Sequence, residues 1–295
     1  MSLADQADSQ IPIAETIARA RETIQRWKKA GEAIAFVPTM GNLHEGHLAL
    51  VRAANASGMR TIVSIFVNPL QFGKNEDLDT YPRTFDEDIL KLADYKVDLV
   101  FAPTVSEIYP EGKEVSTTVY VPGLSDMLEG EHRPGFFTGV ATVVCKLFNI
   151  IEPDAAYFGE KDYQQLLVIR RMVQDLALPI AIHSVATVRE PDGLAMSSRN
   201  AYLKESLRAR ATEIYSCLQY VVKSVQEGMD SHYAVGHACQ QLESAGFDTD
   251  YVVVRNQSDL SVPTKGDKSL IVLAAARLGN TRLIDNIPFE LMQSH

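Results

Sequence analysis

The stretch VPTMGNLHEGHLALVRAA, residues 37–54, closes an apolar run, turns through two histidines and continues as an amphipathic helix. Strand, glycine-containing turn and helix, in that order, can present backbone N–H groups and a helix N-terminus to a phosphate. His44 and His47 stand three residues apart at the helix start and so share a face. Imidazole N–H groups there can hold phosphate oxygens and stabilise charge that builds at phosphorus. Gly41 and Gly46 allow close backbone approach. The plainer alternative is two solvated side chains at a helix start. Zinc is a weaker one, because HEGH lacks the HExxH spacing and has no third ligand nearby.

Outward from this stretch the pattern repeats. AIAFVP (33–38) is a short strand, and HLALVRAANASG is a helix with Leu48, Val51 and Ala54 on one side and Gly58 as its stop. RTIVSIFVN (60–68) is a second buried strand, which completes a βαβ unit and implies a parallel sheet with a right-handed crossover. Residues 13–30 read as a helix with Ile13, Ile17, Ile24 and Trp27 on one face. FDEDILKLADYKV is a helix, DLVFAP a strand, and 104–118 loop and turn. The segment 123–140, with four glycines and a proline, reads as a mobile active-site loop. A helix follows it at ATVVCKLFNII. DAAYFG (154–159), a helix beginning EKDYQQ, and IAIHSVATV (180–188) continue the alternation. The fold class is therefore α/β, with a doubly wound parallel sheet over residues 1–188. After REPDGLAMSSRN the character changes. One long helix over 205–227, a second over about 231–244, and strands at DYVVVRN, SLIVLAAA and TRLIDNI form a smaller α+β domain, 189–295.

With 295 residues and 46% hydrophobic content the chain can bury a sizeable core. A formal charge of −10 opposes broad nucleic-acid binding and an anionic membrane surface. Such a chain must gather positive charge locally to bind a polyphosphate, from helix dipoles, a few Lys and Arg, and a divalent cation. The three cysteines, Cys145, Cys217 and Cys239, have no disulfide or zinc spacing, and Cys145 and Cys217 read as core thiols. The opening MSLADQADSQ does not resemble a signal or transit peptide, and no apolar run reaches membrane-spanning length. A soluble cytoplasmic protein is the expectation.

Three further segments carry candidate chemistry. In GEKDYQQ (159–165), Lys161 stands at a helix start, where the dipole disfavours a cation, so an anion is expected to meet it. Gln164 and Gln165 could offer amides to a small polar acid. In MSSRN (196–200), two hydroxyls and a guanidinium can wrap phosphate oxygens. In NPLQF (68–72), Asn68 and Gln71 follow the second strand at the sheet's ligand-binding edge, with turn capping as the alternative for either.

An HxGH turn after the first sheet strand and an SSR loop after the last resemble the adenylate-forming nucleotidyltransferases. Within that group the chain closely resembles the pantothenate synthetase (pantoate–β-alanine ligase) family, through PTMGNLHEGHLALV, IFVNPLQFG, EDLDTYPRT, the RPG…FTGVATVV region, FGEKDYQQLLVIRRMV and DGLAMSSRNAYL. The resemblance implies a Rossmann-like domain with a smaller C-terminal lid, usually as a homodimer. It implies that ATP and pantoate form pantoyl adenylate, which the β-alanine amine attacks to release AMP. Met40, Gly41, Asn42, Leu43, His44, Glu45, Gly46 and His47 would bind ATP, with His47 the principal catalytic group and His44 beside it. Gly159, Glu160, Lys161, Asp162, Val188, Met196, Ser197, Ser198 and Arg199 would complete the nucleotide site. Gln71 and Gln165 would hold pantoate, Gln71 also beside β-alanine, and Mg²⁺ is expected on the triphosphate with Asp88 as its protein contact. One departure stands out: the family's RPGHF is Arg-Pro-Gly-Phe-Phe at 133–137, so Phe136 replaces a histidine and an imidazole contact to substrate is lost.

Two other readings compete. A nucleotidyltransferase that stops at nucleotide transfer would need basic residues for a second phosphate, where Gln71 and Gln165 stand uncharged. A non-catalytic nucleotide- or metal-binding module would produce no AMP. A tRNA synthetase is disfavoured by the acidic charge and the lack of an anticodon-binding extension.

Overall fold

A computed structural model describes residues 11–73 and 76–291; the opening decapeptide, on which the leader expectation rests, lies outside them. Among the described residues no helix is long and apolar enough to cross a membrane.

The first sheet is built from β1 (Ile13–Ala14), β2 (Ile34–Thr39), β3 (Arg60–Ile65), β4 (Leu99–Phe101), β5 (Ala155–Gly159) and β6 (Ala181–Val185). All its pairings are parallel, in the order β1-β4-β3-β2-β5-β6. Helices α1 (Ile17–Lys29), α2 (Glu45–Ala56), α3 (Phe85–Ala93), α4 (Val105–Ile108), α5 (Glu129–His132), α6 (Phe136–Ile151) and α7 (Tyr163–Asp175) connect the strands. In β2, Ile34 and Phe36 join the core shared with α1, α6 and α7, whereas Ala35 and Val37 join the core under α2. A strand buried on both faces must read as a continuous apolar run, and IAFV does. Strand order reverses between β2 and β5, so the turns after those two strands flank the topological switch point, where α/β sheets bind ligands.

The second unit holds α8 (Glu205–Arg208), α9 (Glu213–Gln226), α10 (Ser231–Ser244) and the antiparallel sheet β7 (Phe247–Asn256), β8 (Ser269–Leu278), β9 (Thr281–Glu290). Both faces of this sheet are covered. Val252, Val254, Leu270 and Val272 pack with α9 and α10, whereas Ile271 and Leu273 join the core of the first sheet.

Three local expectations need correction. Ile13 belongs to β1 beside β4, and the first helix starts after it, at Thr16, whose hydroxyl accepts from Arg19 N. The helix over 205–227 is broken between Arg208 and Glu213, where Thr212 Oγ1 donates to the Ala209 carbonyl and competes with the helical ladder. Half of the glycine-rich 123–140 segment is helical, in α5 and the start of α6. A Cβ on Gly130 would overlap the Ser125 carbonyl, and one on Gly139 the Leu70 carbonyl. Those glycines serve close packing, where the composition suggested mobility. All three cysteines are free thiols, Cys217 buried and Cys145 half-buried.

Candidate active site

A cavity of about 700 Å³ opens above the C-terminal ends of β2 and β5. Met40, His44, Gly46, His47, Gln71, Gly159, Lys161, Asp162, Gln165, Val188, Met196, Ser197, Ser198 and Arg199 all face it. The two distant polar segments meet directly: Ser198 Oγ donates to the Asn42 carbonyl at 3.3 Å.

The histidine turn is organised by its own side chains. His44 caps α2 and its Nδ1 accepts from Gly46 N at 3.1 Å, while His47 Nδ1 accepts from His44 N at 3.3 Å. The ring centres lie 4.2 Å apart. Burial, with help from Lys161, lowers the His44 pKa to about 4. Burial and then His44 lower that of His47 to about 3. Both rings are therefore neutral at pH 7. With each Nδ1 accepting a bond, the single ring proton of each sits on Nε2. Gly46 is needed because a Cβ there would lie 2.8 Å from His44 Cε1.

Most of the turn's amides are not free for phosphate, contrary to the sequence-based expectation. Asn42 N and Leu43 N donate to the two oxygens of Asp88 at 2.8 and 2.7 Å, and Gly41 N donates to Thr39 Oγ1 at 3.2 Å. Gly41 (φ 78°) and Asn42 (φ 49°) are both left-handed, which turns these N–H groups inward. Lys91 Nζ holds the Leu43 carbonyl at 2.8 Å. Asp88 is fully buried beneath the turn, so the expected metal contact is replaced by a structural clasp from α3. Leu43 lies in the core, and Glu45 is exposed and pairs with Arg52. Of the ATP-loop residues, the side chains that reach the cavity are those of Met40, His44 and His47.

After β5, Glu160 is held by Ser184 Oγ at 2.8 Å, and Lys161 stands 3.7 Å from Asp162 Oδ1, outside hydrogen-bond range. A Cβ on Gly159 would meet nothing within 4 Å, which leaves open space beside the sheet edge. Gln165 is half-buried on the cavity wall, whereas Gln164 is buried and donates to the carbonyls of Leu124 and Met127. Asn68 is 1% exposed and caps the short turn Pro69–Gln71, so it does not face the cavity.

Several residues at the cavity were not singled out from sequence. Arg133 pairs with Glu76 at 2.6 Å, donates to the Gln71 carbonyl, and lies 3.7 Å over the Phe136 ring. Phe136 thus packs a cation where the family pattern has an imidazole. Arg282 of β9 bridges Glu129 and Asp250, and Asn286 donates to the carbonyls of Glu160 and Lys161. Asp285 is buried and pairs with Arg189 at 2.6 Å. Polar residues inside the apolar β9 pattern, DN at 285–286, were the available signal.

Arg133, Arg199 and Arg282 are neutralised by carboxylates, whereas Arg277 and Lys161 face the cavity without a hydrogen-bonded carboxylate among the described residues. Among those residues no three acidic, His or Cys side chains form a metal cage. Glu76, Asp77 and Glu129 are each bound to an arginine. The donor set fits a hard cation that arrives on phosphate oxygens and takes at most one or two protein carboxylates.

A sequence profile described as Pantoate-beta-alanine ligase matches residues 12–288. The chain is 52% identical over 276 residues to a pantothenate synthetase of Shewanella loihica, covering 94% of this chain and 98% of that one. It is 54% identical over 269 residues to that of Thioalkalivibrio sulfidiphilus, covering 91% and 94%. The fold superposes on a Thermus thermophilus pantothenate synthetase with a TM-score of 0.88 at 43% identity, covering 94% and 99%. It superposes on a Francisella tularensis pantoate-beta-alanine ligase, solved with beta-gamma ATP and beta-alanine, with a TM-score of 0.80 at 34% identity, covering 94% and 97%.

Proposed function

This chain belongs to the pantoate–beta-alanine ligase family, and on that premise we propose that it joins pantoate to β-alanine with ATP, through pantoyl adenylate, releasing AMP and pyrophosphate. The observation that carries this reading is the convergence of the histidine turn, the Lys161 turn and the MSSR loop on one cavity at the switch point.

In the first step a pantoate carboxylate oxygen attacks the α-phosphorus, and the bond to the β-phosphate oxygen breaks. In the second the β-alanine nitrogen attacks the acyl carbon, loses a proton, and AMP departs with that carboxylate oxygen. No side-chain nucleophile is needed, so catalysis rests on alignment and charge stabilisation. Alignment alone can supply roughly 7–11 kcal/mol. His47 and His44 would donate from Nε2–H to phosphate oxygens, with His47 the principal catalytic group. Neutral donors held by their own Nδ1 bonds need no rearrangement as charge builds at phosphorus. Lys161 supplies a cation, and Ser197, Ser198 and Arg199 close on the same oxygens. Arg199 must then exchange Asp77 for phosphate. Gly159, Val188 and Met196 would line the nucleoside side. Gln71 and Gln165 would hold pantoate against the wall of Phe137, Val140 and Val143, with Gln71 also beside β-alanine.

Mg²⁺ would arrive with ATP and neutralise its phosphate charge, with Asp162, the more exposed partner of the Lys161 pair, as the carboxylate this chain offers. We place the division between the ATP- and pantoate-binding domain and the C-terminal lid after Val188; a separate core from Leu194 onward supports it. The family resemblance carries the homodimer and the cytoplasmic location.

The test is product analysis. AMP should form only when ATP, pantoate and β-alanine are all present. ADP in place of AMP would overturn the adenylate route.

A further inference from the structure

Gln71 is assigned to the acid subsite, but an amide can offer either a donor or an acceptor, and the two ends select different ligands. The surroundings of Asn68 decide which end faces the cavity. Asn68 Nδ2 lies 3.1 Å from the Gly139 carbonyl, which can only accept. Its Oδ1 lies 3.3 Å from Leu70 N, which can only donate. These two backbone groups fix the orientation of the Asn68 amide. The second Nδ2 hydrogen then points at Gln71 Oε1, 3.0 Å away. Tyr109 completes the set, donating to Asn68 Oδ1 at 2.9 Å from a fully buried hydroxyl. Burial pushes the Tyr109 pKa well above its ordinary value, so it stays a hydroxyl. With Oε1 of Gln71 engaged, its NH₂ is the end left for the cavity, which Gln71 lines.

We propose that Asn68, braced by Tyr109 and the Gly139 carbonyl, is a positioning residue that presents Gln71 as a hydrogen-bond donor, so that this subsite selects a ligand oxygen with lone pairs, such as a carboxylate or hydroxyl oxygen. The inference rests on the functional reading above, since it takes pantoate as the group that Gln71 meets. It also gives Gly139 a second role. The close approach of α6 to Leu70 brings the carbonyl of Gly139 within reach of Asn68, so helix packing and amide orientation are one arrangement. Asn68 acts from behind Gln71 and does not line the cavity.

The half-reaction that exchanges labelled pyrophosphate into ATP in the presence of pantoate, without β-alanine, reads this subsite directly. Gln71→Glu keeps the acceptor that Asn68 needs but replaces the outward NH₂ by a carboxylate oxygen. It should raise the pantoate KM at least 100-fold and leave the ATP KM within threefold. Tyr109→Phe, which keeps the ring, should raise the pantoate KM three- to tenfold, again without moving the ATP KM. A pantoate KM for Gln71→Glu within threefold of wild type would mean that Gln71 presents its oxygen, and would overturn the inference. So would Tyr109→Phe moving both KM values equally, or neither. A wild-type enzyme that exchanges no pyrophosphate with pantoate would instead overturn the functional reading, and this inference with it.

Discussion

Neutral imidazoles govern how the site responds to acid. The folded-state values near 4 for His44 and near 3 for His47 lie below the 6.5 of an exposed ring. Between those limits the unfolded chain binds protons that the folded chain refuses. The stability these rings contribute is complete above about pH 6.5 and is lost as pH falls toward their folded-state values. The urea midpoint should therefore drop between pH 7 and pH 5, and drop less in the His44→Asn, His47→Asn double variant; parallel curves would remove the histidines from the account. His47→Ala should lower turnover about 10²–10³-fold, as the loss of a transition-state donor does, while the circular-dichroism melt stays within a few degrees of wild type. Near-normal AMP production by that variant would refute its role. The residue types of this site were legible from HEGH, GEKD and MSSR. The partners of the turn's backbone were not, because Asp88 and Lys91 reach Asn42 and Leu43 across 45 or more residues. The family resemblance suggests Asp88 as a metal contact, yet its burial under two amides is a tertiary fact.

At the scale of elements, the junction of α6 with the turn Pro69–Gln71 links packing to substrate binding. Gly139 allows that junction, since any Cβ there meets the Leu70 carbonyl. Gly139→Ala should destabilise the protein by about 1–3 kcal/mol, the usual cost of overpacking, and raise the pantoate KM more than the ATP KM. Equal stability in chemical denaturation would show that α6 can move away freely. The strands and most helices were readable because β2 and β5 are buried on both faces and read as near-continuous apolar runs, and β3 carries Ile62, Val63 and Ile65 among its polar residues. The segment 123–140 was misread because glycine has two uses, mobility and close approach, and composition does not separate them. Helix α6 shows the second use, with Gly139 inside it.

Across the whole molecule, β9 joins the two units at the cavity. Arg282 reaches Glu129, Asn286 reaches the carbonyls after β5, and Asp285 holds Arg189. Removing Arg282 would strand two largely buried carboxylates, Glu129 and Asp250. Arg282→Ala should lower unfolding stability by about 3 kcal/mol or more, and Arg282→Lys should recover only part of it, since a single ammonium cannot reproduce the guanidinium's geometry. Wild-type stability in the alanine variant would mean that the apolar contacts of Ile271 and Leu273 hold the units together alone. The order of strands and helices revealed two sheets, but the pairing of β9 charges with α5 was out of reach of local pattern.

Pantoate labelled with ¹⁸O in its carboxylate tests the central claim most directly. Attack of that carboxylate on the α-phosphorus, followed by amine attack on the acyl carbon, transfers one labelled oxygen to AMP, and mass spectrometry of the nucleotide product should show it. Unlabelled AMP, or label appearing in inorganic phosphate alongside ADP, would contradict the account.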